Sequence, residues 1–100
     1  MARSQSELQA VLEEVMGNGN VFFQPPAILP DPCIKYERDS SWSASADNLK
    51  YLFLKRYQVT VIDRDPDSPT PDRVEALPHC GFATFFVANG LNHWVYNLFF

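Results

Sequence analysis

Between residues 49 and 63 the chain reads LKYLFLKRYQVTVID, and no other stretch limits its fold as tightly. Tyr57, Val59 and Val61 alternate with Gln58 and Thr60, the period-two pattern of a half-buried strand rich in aromatic and β-branched side chains. The outer part is less regular, since Tyr51 and Phe53 share a face with Lys55 while Leu52 and Leu54 share the other with Arg56. A strand of that length is expected to overhang its sheet.

The flanking segments supply the other elements. Ser4 and Glu7 have the spacing of a capping box, and Leu8, Val11, Leu12, Val15 and Met16 then recur at helical intervals. This predicts an amphipathic helix over residues 5–16, stopped by Gly17 and the turn residues Asn18, Gly19 and Asn20. In VFFQPPAILPDP, Pro25, Pro26, Pro30 and Pro32 exclude a helix interior or a central strand, so an extended crossing segment is expected. CIKYER, residues 33–38, has strand composition, and DSSWSASADN, residues 39–48, reads as a long hairpin loop. Further on, Thr70 is expected to cap a short helix with Pro71 at its first position, Asp72 beside the positive end of the dipole, Val74 and Leu77 on one face, and Pro78 as its stop. Two more strands, 81–87 and 93–100, are joined by a turn around Asn89 and Gly90.

Helix, strand, strand, helix, strand, strand is the order of an α+β two-layer sandwich, with an antiparallel sheet of about four strands and both helices on one face. The chain has 100 residues and 46% hydrophobic content, enough for one self-sufficient domain over residues 1–100. The opposite face of the sheet would then carry Phe53 or Leu54, Phe85, Val95 and Phe99, depending on register. That is more apolar surface than a solvated monomer tolerates, and it implies that neighbours complete the domain.

Chemistry finds little purchase. A formal charge of −4 with no basic run argues against a sequence-independent grip on DNA. The longest apolar runs fall far short of the roughly 20 residues that span a bilayer, and a soluble protein made in the cytoplasm is expected. Asp63, Asp65 and Asp67 have the spacing of the first ligands of a calcium loop, but Ser68 stands where glycine is needed and Val74 where a bidentate glutamate belongs. The stretch DRDPD is therefore read as a turn, with no metal and no cofactor. Cys33, Cys80, His79 and His93 are the residues with nucleophile or zinc chemistry, but their spacing fits no zinc site, and no phosphate loop or nucleophile elbow accompanies them. No enzymatic activity is expected; Cys33 and Cys80 read as free thiols in or near the core. Trp42, among serines and alanines, reads either as a lid over the core or as an interface anchor on a polar arm.

In the order and spacing of PPAILPDPCIKYE, ADNLKYLFLKRYQVTVIDRDPDSP, Leu77 with Pro78, and NGLNHWVYNLFF, the chain resembles the tail terminator (tail completion, neck) proteins of long-tailed bacteriophages. The likeness covers nearly everything from Phe22 onward. It implies a structural virion protein, assembled in the host cytoplasm, whose copies form a hexameric ring on the head-proximal end of the tail tube. There the ring ends tube polymerisation and offers a docking surface to the head connector or stopper, while DNA passes through without specific binding. On that reading Arg38, Trp42, Asn48, Tyr51, Phe53 and Lys55 are interface candidates, and Asp63, Asp65, Asp67 and Asp72 face the channel or its rim. A connector stopper or tube subunit remains an alternative within the same assembly. A small ligand-binding α+β domain, with its site between sheet and first helix, is the alternative from another class.

Overall fold

A computed structural model of the chain describes residues 5–24, 32–38 and 56–100. In chain order the elements are α1 (Gln5–Met16), β1 (Val21–Phe23), β2 (Cys33–Arg38), β3 (Arg56–Asp63), α2 (Thr70–Glu75), β4 (Cys80–Ala88) and β5 (Leu91–Phe99). The α+β class is as expected, but the sheet has five strands in the order β1-β2-β3-β5-β4 and is mixed. The unexpected strand is β1, which runs parallel to β2 with Val21 opposite Ile34 and Phe23 opposite Tyr36. Its three residues precede the prolines, and it lies at the edge, where a following proline interrupts no ladder. Gln24 ends it at a φ of 48°.

Leu8 and Leu12, one turn apart, are wholly buried against the sheet, and Val11, Val15 and Met16 pack around them. Each buried leucine is worth about 1.5–3 kcal/mol over an exposed one. The helix stops at Gly17, whose φ of 84° suits glycine, and the Gly17 amide still donates to the Glu13 carbonyl at 2.9 Å. The last turn of α1 has no basic residue of its own; Arg73 of α2 supplies one by donating to the Val15 carbonyl at 3.4 Å. Ser4, the proposed capping residue, lies outside the described residues.

The core is the sheet face under the helices. Val21, Ile34, Tyr36, Tyr57, Val59, Val61, Tyr96 and Leu98 are buried there with Leu8, Leu12, Val74 and Phe100. Burying Tyr36 requires a partner for its hydroxyl. Gln5 Nε2 donates to it at 2.6 Å and the hydroxyl in turn donates to Gln9 Oε1, so two α1 side chains clamp the helix to β2.

Pro69, in helical conformation, sits at the N-cap of α2 and no side chain caps the helix there, so Thr70 is not the cap. Thr70 lies inside the helix, buried, and its amide donates to Ser68 Oγ at 3.4 Å. Asn89 and Gly90 form a two-residue hairpin turn between β4 and β5 with φ of 55° and 74°. Positive φ at both central residues is what the right-handed strand twist selects.

One register feature changes a face assignment. A β-bulge falls between Phe82 and Thr84, leaving Ala83 without a partner in the ladder. Beyond it the alternation shifts by one residue, so Phe85 lies opposite Trp94 on the helix-covered side and Phe86 lies opposite His93 on the other. Phe85 is thus not on the face left bare by the helices, and Val95, which is, is buried along with Cys33, Thr60 and Ile62. Phe99 is half-buried, and residues 49–55, including Phe53 and Leu54, lie outside the described residues. The surplus apolar surface is concentrated at the rim, on β4.

Candidate assembly surface

β4 is an edge strand, and among the described residues nothing pairs with its outer side. Phe82, Phe85, Phe86 and Val87 are 51, 46, 45 and 60% exposed. Each aromatic leans on β5: Phe82 meets the Tyr96 ring edge-on at 5.7 Å, Phe85 lies tilted on Trp94 at 5.5 Å, and Phe86 stacks on His93 at 4.5 Å. With their inner sides engaged, these rings leave the outward side open, on both faces of the sheet. From Ala76 to Phe100 there is no Asp, Glu, Lys or Arg. The strand also has no proline, so its one device against edge pairing is the bulge near its start. Of these four residues the sequence reading named Phe85 alone, and on the opposite face; the charge-free run would have signalled the others.

Three aspartates cluster elsewhere, in DRDPD. Asp63 Oδ1 accepts from the Asp65 amide at 2.9 Å, Asp65 Oδ1 accepts from the Asp67 amide at 2.9 Å, and the Ser68 amide donates to the Asp65 carbonyl at 3.2 Å. Two successive side-chain turns thus shape DRDPD, each carboxylate committing an oxygen to the backbone two residues on. Asn92 Nδ2 fastens the turn to β5 by donating to the Arg64 carbonyl at 3.2 Å. Among the described residues no three His, Cys, Asp or Glu side chains converge as a metal site would require. Asp65→Asn keeps an acceptor for the Asp67 amide and should change the denaturant midpoint negligibly. Asp65→Ala should cost about 1 kcal/mol, and equal effects would show that the side chain does not shape the turn.

The strand register separates the two groups of proposed site residues. Cys33 pairs with Ile62 at one end of the β2–β3 ladder, and Arg38 pairs with Tyr57 at the other. Asp63, Asp65 and Asp67 lie at the first end, beside the Asn89–Gly90 turn. Arg38, exposed with its guanidinium 5.9 Å from the Tyr57 ring centre, lies about 20 Å away at the second. Asp72 is exposed in the first turn of α2. Trp42, Asn48, Tyr51, Phe53 and Lys55 lie outside the described residues.

The sulfur and imidazole groups are dispersed. Cys33 is a buried thiol and Cys80 a partly buried one, and neither is in a disulfide. Burial, with Glu75 nearby, pushes the Cys80 thiol up to about 11, so it stays protonated and poorly nucleophilic at neutral pH. His93 Nδ1 lies 3.1 Å from the Leu91 carbonyl, and His79 occupies a turn at φ 59° ahead of β4. No helix among the described residues is long and apolar enough to cross a membrane.

Compared with known protein families, curated proteins and solved structures, the chain finds no match.

Proposed function

We propose that this chain is a structural subunit of the phage tail terminator type, acting through contacts between copies and with neighbouring virion proteins rather than through catalysis. The observation that carries the reading is the uncharged edge strand β4, with Phe82, Phe85, Phe86 and Val87 open to solvent. An apolar rim of this kind calls for a protein partner. A contact repeated head to tail around an axis closes into a ring, which is the assembly that the resemblance implies.

Polarity along the strands supports the same reading. Asp63, Asp65 and Asp67, with Arg64 among them, occupy one end of the sheet, while Arg38 and Arg56, with Glu37 beside them, occupy the other, so the ends differ in sign of net charge. Carboxylates at a channel rim would repel phosphates and let DNA slide, leaving the Arg38 end for the tube or the adjacent subunit. A ligand site between α1 and the sheet fits less well, because that space is filled by Leu8, Leu12, Tyr36 and Tyr57.

The test uses purified tail tubes with one free head-proximal end. Added to them, the chain should bind that end alone and stop further addition of tube subunits, as seen by electron microscopy. Binding along the tube sides, or continued elongation at saturating chain, would overturn the reading.

A further inference from the structure

We propose that β4 is a self-recognition strand through which two copies of this chain join, antiparallel, about a two-fold axis at Phe86. The argument begins with what can satisfy an open edge. Its unpaired backbone groups take another extended strand, and among the described residues the sheet has two open edges, β1 and β4. β1 is three residues long, is followed by Gln24 at positive φ, and then meets two prolines that have no N–H to give. Among the described residues, the matching edge for the nine-residue β4 is therefore another β4.

The bulge sets the register. Past it, the regular part of the strand runs from Thr84 to Ala88, with Phe86 at its midpoint. An axis there sets Phe86 against Phe86 of the second copy on the face away from the helices. On the helix-covered face it sets Phe85 against Val87 of the second copy, and Val87 against Phe85. Aromatic–aromatic and aromatic–β-branched pairs are the favourable cross-strand combinations.

Charge favours the same partner. The chain carries −4 overall, so two copies repel across most surfaces, but β4 and β5 bring no formal charge to the contact. The four exposed side chains leave on the order of 400 Å² of apolar surface per copy. With the strand backbones, pairing buries on the order of 1,000 Å² in total, at the low end of specific interfaces, so the pair is reversible. A two-fold contact uses the strand in both copies and is closed, so on the terminator reading it competes with entry into a ring.

The test is solution mass by sedimentation with the chain alone. Mass should rise from one copy toward two between roughly 5 and roughly 500 µM, and Phe86→Lys should remain a monomer throughout with an unchanged circular dichroism spectrum. A covalent readout covers the case in which that variant fails to fold. Under mild oxidation Phe86→Cys should give a linked dimer, while Val87→Cys, whose mate is Phe85, and the unsubstituted chain should not. A monomer at every concentration, a six-copy species, or linkage at Val87→Cys instead of Phe86→Cys would overturn the proposal. A chain that pairs yet never caps tubes would overturn the terminator reading alone.

Discussion

Leu12→Ala is expected to destabilise the protein by about 3 kcal/mol and to lower its melting temperature by about 10–20 °C. Leu12 is wholly buried in the core that also holds Ile34, Tyr36 and Val59. Removing three methylene-sized groups there loses their transfer energy and leaves a cavity that the surrounding β-branched side chains close poorly. Glu14→Ala, on the exposed side of the same helix, is the control, with a change within about 0.5 kcal/mol. A loss under 1 kcal/mol at Leu12, measured by denaturant titration, would show that α1 is not seated on the sheet as described.

Alkaline solution should destabilise the protein well before its arginines lose charge. Burial raises Tyr96 to about 12 and Cys80 to about 11, and it also raises Tyr36 and Tyr57. The sign follows from proton counting. These groups are neutral when protonated, and in the unfolded chain the thiol gives up its proton near 9.0 and the phenols near 10.0. Between those values and the folded ones, the native state holds more protons than the unfolded state, so stability falls as pH rises. Their contribution is complete below about pH 9 and is lost progressively up to about pH 12, on the order of 5 kcal/mol from Cys80 and Tyr96 together. Denaturant midpoints at pH 8, 10 and 11 check this. Tyr36→Phe should flatten part of the slope, and midpoints level across that range would exclude the buried phenols as its source.

Much of this fold is written locally. The i, i+3, i+4 spacing from Leu8 to Met16 marks α1 to the residue, and Gly17 and the Asn89–Gly90 pair announce their turns because each needs positive φ. Where local signals fail, a tertiary partner decides. VFF becomes a strand because β2 offers it a parallel edge, which its own three residues and the prolines behind them conceal. Pro69 displaces Thr70 from the cap for a similar reason: Thr70 is buried in the turn, where Ser68 already satisfies its amide. The bulge at Ala83 leaves no mark in composition, yet it exchanges the faces of Phe85 and Phe86. DRDPD was legible as a turn, but the linkage of its carboxylates to successive amides is a matter of coordinates. The exposed apolar edge was legible in principle, since β4, with three phenylalanines and no charge, stands out in an acidic chain.

The strand order also bears on how the chain matures as it is synthesised. β5 leaves the ribosome after β4, yet it lies between β4 and β3, which do not pair with each other. Until β5 threads into that gap, β3 has a bare flank and β4 has no place in the sheet at all. The hairpin through Asn89 and Gly90 can close within microseconds, so β4 and β5 arrive together as a preformed ribbon. Docking of that ribbon beside β3 is then the closing act of folding, and a nascent chain paused before Leu91 should be open to proteases and chaperones.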